Sequence, residues 1–319
     1  MTTLAQRLDD YLAVRRSLGF DLSSAAQVLR GFAAFADREG ADHLTVDLFL
    51  RWKTAFGKAS NNTWVARLGM VRVFANWLKG QDTRTEVPPA GLISGKVRRV
   101  RPYIYSDGEI ATIITRAERL RSRYNLRGWT SSTLFGLIAV TGLRINEALQ
   151  LNDDDVDLDA SVITVKRGKN GRARFVPIAA STVERLRAYR TERIRLHGRN
   201  GSAFFRHDAG RRLSGWSARY NFAVVSQDIG LRELQRFGKH GRGPRIHDLR
   251  HTFAVRTMIG WYQKGLDPDR EMIKLSTYLG HVKPDHTYWY IEAVPELLGL
   301  AAERAEHALA KSASKNGGA

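Results

Sequence analysis

Residues 246–258 read IHDLRHTFAVRTM, residues 278–281 read YLGH and residues 286–290 read HTYWY. Leu249, Phe253, Ala254 and Met258 recur at helical spacing, which predicts a packed helix beginning near Ile246. His247 and Arg250 lie three residues apart, so on such a helix they share a face and can grip one anion. Leu279-Gly280-His281 is a turn signal, and Tyr290 follows His281 by nine residues. Each feature alone has an ordinary structural explanation. His-x-x-Arg fits a solvated helix face, His281 a loop histidine, and Tyr288-Trp289-Tyr290 a core aromatic cluster.

Upstream, residues 134–140 form a nearly all-apolar stretch (Leu134, Phe135, Leu137, Ile138, Val140) that predicts a core helix ending at Thr141-Gly142. A new helix follows through Leu143, Arg144, Ile145 and Glu147. Its first turn carries Arg144, where backbone N–H groups and the helix dipole already favour an anion. Val162 and Thr164 on one side and Phe175, Val176 and Ile178 on the other predict a β-hairpin, with Asn170-Gly171 as its tight turn. Lys169, Arg172 and Arg174 gather at or near the tip. Arg236 to Arg245 is a Gly-rich basic loop leading into His247.

Taken in order, these pieces resemble the tyrosine recombinase (phage integrase) superfamily. Thr141-Gly142-Leu143-Arg144 with Glu147 is similar to its first arginine motif, and Gly168-Lys169 with Arg174-Phe175-Val176-Pro177 to its hairpin lysine motif. His247-Asp248-Leu249-Arg250 resembles the second arginine motif, His281 the histidine of LGH, and Tyr290 the nucleophile. Spacing from His281 and the family pattern select Tyr290 over Tyr288. The resemblance implies six catalytic residues: Arg144, Lys169, His247, Arg250, His281 and Tyr290. It implies no cofactor and no metal. The long connection from Arg250 to His281, through Trp261-Tyr262-Gln263-Lys264-Gly265, resembles members carried by transposon-type mobile elements.

Breaking and remaking a DNA phosphodiester without ATP requires that the ester energy be kept, so an enzyme nucleophile must replace water. A tyrosine ester of phosphate does this. A phenol of ordinary pKa near 10 costs roughly 4 kcal/mol to ionise at pH 7, which nearby cations or a proton acceptor must offset. Within the resemblance, Arg144 and Arg250 neutralise the non-bridging phosphate oxygens and His247 accepts or shares the Tyr290 proton. His281 then binds the phosphate or positions the nucleophile, and Lys169 protonates the departing 5′ oxygen. Glu147 orients the cations. The implied intermediate is a 3′-phosphotyrosine with a free 5′ hydroxyl.

The whole chain agrees with a polyanionic partner. Its 51 Lys and Arg against 32 Asp and Glu give a net charge of +19 and a pI of about 10.5, which points to nucleic acid. No run approaches the roughly 20 apolar residues of a membrane span, and no signal-peptide core opens the chain. The absence of cysteine excludes disulfides and thiolate chemistry and suits a cytoplasmic setting. Asp153-Asp154-Asp155 invites a metal reading, but three adjacent carboxylates do not converge on one ion.

The expected fold is mainly α with a small antiparallel β-sheet, in two domains. Residues 1–90 predict a helical bundle. Leu4, Leu8 and Leu12 mark its first helix, Leu29, Phe32 and Ala36 the second, Leu48 and Trp52 behind a Thr45 cap the third, and Trp64, Leu68, Val71 and Leu78 the fourth. By resemblance this is the SAM-like core DNA-binding domain. Residues 91–104 form a basic linker, with Lys96, Arg98, Arg99 and Arg101 in six positions. Residues 105–319 are the α+β catalytic domain, opened by the capping box Ser106-Asp107-Gly108-Glu109 and closed by a helix from Pro295 to Leu309 and a frayed polar tail. That last helix has an apolar face for a neighbouring subunit or for its own domain.

The function expected from these features is site-specific recombination of double-stranded DNA, for integration, excision or resolution of a mobile element. The family implies a homo-tetramer on DNA and admits accessory DNA-bending or directionality proteins. A type IB topoisomerase and a non-catalytic DNA-binding regulator are the competing classes.

Overall fold

A computed structural model describes residues 3–57, 59–94, 101–166, 173–199, 201–233, 243–280 and 285–316. The chain separates into two compact units, residues 1–100 and 101–319.

The first unit contains α1 (Leu4–Ser17), α2 (Ser23–Arg38), α3 (Val46–Ala55) and α4 (Asn61–Lys79). Three starts are fixed by side-chain caps that satisfy otherwise orphaned N–H groups. Thr3 and Gln6 form a capping box on α1, Thr45 accepts from the Leu48 N–H on α3, and Ser60 accepts from the Thr63 N–H on α4. The apolar stripes of the helices meet in one core, in which Phe49, Trp52 and Trp64 pack edge to face. Arg67 lies over the Phe56 ring at 3.9 Å and Arg72 donates to the Pro88 carbonyl at 2.6 Å, so both serve the unit's own packing.

The second unit opens with α5 (Asp107–Glu118), whose start is the Ser106–Glu109 capping box expected from the sequence. It continues through α6 (Leu126–Thr141) and the short α7 (Ile145–Gln150) to a three-stranded antiparallel sheet. The strands are β1 (Val156–Asp157), β2 (Val162–Val165) and β3 (Arg174–Pro177), in register Val156 to Ile163 and Ile163 to Val176. Ile163, Val165 and Val176 face the core, as the two-residue period of a half-buried sheet requires. The turn joining β2 to β3, with Lys169, Asn170, Gly171 and Arg172, lies outside the described residues, as do Lys96, Arg98 and Arg99 and most of the loop before His247.

Then follow α8 (Ala180–His197), α9 (Gly215–Asp228), α10 (Ile246–Gln263), α11 (Pro268–Leu279), α12 (Asp285–Ala293) and α13 (Pro295–Asn316). Helix α6 is the hub, packing against α5, α8 and α10. Its last turn departs from expectation: Val140 is 53% exposed, because its direction on the helix differs from that of Leu134, Leu137 and Ile138. A second departure is the tail. Helix α13 runs on to Asn316, through residues predicted to fray, because the alanines from Ala301 to Ala313 favour helix. Its start docks on its own unit, where Leu297 is buried with Met258, Trp261 and Tyr290, and Arg304 donates to the Leu266 carbonyl at 2.7 Å.

The acidic run 153–155 resolves into separate ion pairs. Asp153 takes two hydrogen bonds from buried Arg193 at 2.7 and 2.9 Å, while Asp155 pairs with Lys166 at 2.6 Å.

Candidate active site

Three arginines converge on the C-terminal end of α11, where helix carbonyls lack intrahelical partners and carry the negative end of the dipole. Arg174, from β3, donates through Nε to the Tyr278 carbonyl at 2.8 Å. Arg144 donates to Leu279 and Gly280, each at 3.1 Å, and Arg250 donates to Leu279 at 2.8 Å. Gly280 ends the helix with φ +64°, and a Cβ there would stand 3.1 Å from the Arg174 guanidinium. Glycine therefore serves two needs, left-handed backbone and close approach of cations.

Arg144 is the N-cap of α7, held in extended conformation just before the helix. Its N–H donates to Glu147 Oε2 at 2.9 Å and its guanidinium to Oε1 at 2.9 Å. Burial pushes the Glu147 carboxyl up, but the hydrogen bonds and charges of Arg174 and Arg144 outweigh it and hold the pKa at about 2. Glu147 is thus a fixed anion between two cations.

Arg250 comes from the first turns of α10 and is 1% exposed. It also donates to the Gly142 carbonyl at 2.6 Å. Gly142 caps α6 with φ +63°, which turns that carbonyl toward α10. Burial and the neighbouring Arg144 cation both lower the Arg250 pKa from its ordinary value.

His247 and Arg250 are less of a pair than their three-residue spacing predicts. Arg250 points inward, while His247 is exposed and sets its ring edge-on to His251 at 4.5 Å between centroids, one helical turn away. Protein packed around the rest of the His247 ring and the Arg250 cation hold its pKa down at about 4. His251 is lower still, at about 3, through burial and the proximity of His247, Arg245 and Arg250. Both imidazoles are neutral at pH 7.

Tyr290, on α12, is buried at 2% exposure and its hydroxyl lies 2.7 Å from His251 Nδ1. It is within electrostatic reach of Arg250. Tyr288, two residues earlier, is exposed and donates to Asp269 at 3.3 Å. Geometry thus separates the two tyrosines that sequence had to separate by spacing.

Of the six expected site residues, Arg144, Arg250, His247 and Tyr290 gather at one end of α10. Lys169 and His281 lie outside the described residues. Sequence reasoning gave no site role to Arg174, which it named only within the hairpin motif, or to His251. The second carried a usable signal, since His247 and His251 stand four apart on one helix; the first joined the site through a long-range contact that no local spacing encodes.

Residues 107–296 match the family model described as the phage integrase family. The chain is 40% identical over 312 residues to the candidate integrase/recombinase y4rB of Sinorhizobium fredii, covering 96% of this chain and 98% of that protein. Among solved structures, the XerH site-specific recombinase bound to palindromic difH substrate has a TM-score of 0.63 at 22% identity, over 89% of this chain and 80% of that one. The Tn1549 transposon integrase in complex with transposon right end DNA has a TM-score of 0.66 at 14% identity, over 96% and 99%. At those identities the structural likeness speaks for the fold alone. Family model and relative agree, and the chain belongs to the phage integrase family of tyrosine recombinases.

Proposed function

We propose that the protein is a site-specific DNA recombinase that cuts and rejoins double-stranded DNA through a 3′-phosphotyrosyl intermediate, for integration, excision or resolution of a mobile element. The observation that carries this reading is the meeting of a buried tyrosine, a neutral imidazole at 2.7 Å and a set of arginines at one helix end.

Tyr290 is the nucleophile. Arg144 and Arg250 exchange helix carbonyls for the non-bridging oxygens of the scissile phosphate and oppose the charge that builds in the pentavalent transition state. Arg174 keeps Glu147 ionised and Glu147 aims Arg144, a positioning role. By the family pattern His247 accepts or shares the proton of the phenol. Lys169 protonates the departing 5′ oxygen and His281 hydrogen-bonds the phosphate, as the family pattern implies for their positions. The chain's net charge of +19 suits a clamp on duplex DNA. Residues 1–90 act as the core DNA-binding domain, 91–104 as a basic linker and 105–319 as the catalytic domain. The assembly on DNA is a homo-tetramer in the cytoplasm, open to accessory DNA-bending or directionality proteins.

Covalent trapping tests this. End-labelled duplexes flanking the protein's own gene are incubated with the full chain in EDTA and quenched with SDS. A protein–DNA band that vanishes in Tyr290→Phe supports the reading, and recombinant rather than relaxed products separate a recombinase from a topoisomerase. A wild-type protein that binds these duplexes without forming the band is a DNA-binding regulator instead.

A further inference from the structure

The phenol of Tyr290 must lose a proton as its oxygen attacks phosphorus, and the family-based assignment gives that proton to His247. The geometry favours its neighbour. His251 Nδ1 lies 2.7 Å from the Tyr290 hydroxyl, whereas His247 is the more exposed of the two and meets His251 in an edge-to-face contact. His251 is itself largely enclosed, with 14% of its side chain exposed, and Trp289 packs against it at 6.0 Å between ring centroids. Its far nitrogen, Nε2, faces Asp248 Oδ1 at 4.0 Å. Asp248 is buried and fixed by the Arg245 N–H at 2.7 Å, as the carboxylate of the capping box that starts α10. Phenol, imidazole and carboxylate therefore stand in series, with the imidazole between them.

We infer that His251 is a further catalytic residue of this protein, the base that receives the Tyr290 proton on Nδ1 during cleavage and returns it during rejoining. The inference rests on the reading of Tyr290 as nucleophile. In the cleavage step the Tyr290 oxygen forms its bond to phosphorus while its proton moves to His251 Nδ1. The bond from phosphorus to the 5′ oxygen breaks, and that oxygen takes a proton from the general acid. Rejoining reverses each transfer: the 5′ hydroxyl attacks, the tyrosine oxygen leaves, and the imidazolium gives its proton back. With Nδ1 accepting from the phenol, the resting proton sits on Nε2. The imidazolium formed during cleavage then has Asp248 as its facing anion at 4.0 Å, and because burial holds the resting imidazole neutral it is a transient carrier of the proton within the step, not a store of it between steps. Sequence alone could not distinguish the histidines, since both lie beside Arg250; the choice depends on where α12 delivers the tyrosine.

The test uses the full chain and a nicked suicide duplex made from whichever gene-flanking fragment yields a Tyr290-dependent adduct, with the rate of adduct formation as readout. His251→Ala should slow it by roughly 100-fold, the usual contribution of a positioned base. DNA affinity should stay within about threefold, since the proton transfer belongs to the transition state alone. Free imidazole in the buffer should restore part of the rate to His251→Ala. His251→Asn, which keeps an acceptor near the Nδ1 position but cannot take up the proton, should remain as slow as His251→Ala and guards against a simple folding defect.

Several outcomes overturn the inference. An adduct that forms as fast or faster in His251→Ala would make the contact a resting latch. Wild-type rate in His251→Asn would reduce it to positioning, and no response to imidazole would remove the proton role. If no duplex gives a Tyr290-dependent adduct with the wild-type chain, the functional reading itself falls and the inference falls with it.

Discussion

The Arg174 guanidinium grips the Glu147 carboxylate at two points, Nη1 to Oε1 at 3.0 Å and Nη2 to Oε2 at 2.8 Å. This pair ties β3 to α7 across 27 residues of chain and sets Arg144, which shares the same carboxylate. Glu147→Gln removes the charge and keeps the shape. Breaking a buried pair while its cations remain costs about 3 kcal/mol or more. The variant should therefore unfold earlier in urea by that order and form adduct slowly. An unchanged denaturation midpoint would mean that the arginines are held by the helix carbonyls alone.

Acid should weaken the protein in two overlapping windows. His247 and His251 have folded pKa values near 4 and 3, against an ordinary 6.5, so the unfolded chain binds protons that the folded chain refuses. The stability they confer is full above pH 6.5 and is lost as pH falls toward 3. Glu147, held near 2 against an ordinary 4.5, adds a second loss between those values. Urea midpoints measured from pH 7.5 to 3.5 should fall throughout the lower range, and His251→Asn should flatten the upper part of the slope.

Tyr290→Phe should abolish the covalent adduct and leave DNA affinity within about threefold of wild type. Because it leaves the His251 acceptor buried without its phenol, a loss of about 1 kcal/mol in stability is expected as well. Filter binding and a urea melt check the two effects separately. A large fall in affinity would assign Tyr290 a structural role on DNA.

Gly142→Ala places a methyl group 2.5 Å from Phe253 Cδ1 and 3.0 Å from Leu279 Cδ2, on a backbone with φ +63°. Strain and overpacking together predict a loss of about 2–4 kcal/mol. The same carbonyl receives Arg250 at 2.6 Å, so adduct formation should fall more than tenfold even at temperatures where the variant is folded. Retention of the full rate would show that Arg250 does not depend on this contact.

Much of this was legible in the sequence because its signals are local. The capping box at Ser106, the apolar stripe of α10 and the alternation of β2 each express a period of one or two turns or strands. The order of motifs then identified the family. What stayed hidden was convergence: spacing places His247 and Arg250 on one helix but does not say which neighbouring element each meets. Arg250 turned to the ends of α6 and α11, and α12 brought Tyr290 to His251. Val140 and the extended α13 were missed for simpler reasons. Apolar character does not fix which way a helix end faces, and alanine content can outweigh a polar appearance.

The grip of Arg144, Arg174 and Arg250 on the end of α11 bears on when the charge in this site is organised. A helix terminus carries about half an elementary negative charge. It therefore acts as a resident counter-charge that keeps the like-charged guanidinium groups together. Under the function proposed above, an arriving phosphate finds the donors already aimed and has only to exchange one oxygen acceptor for another. The work of crowding the cations is done once, when the chain folds, and is not repeated at each turnover.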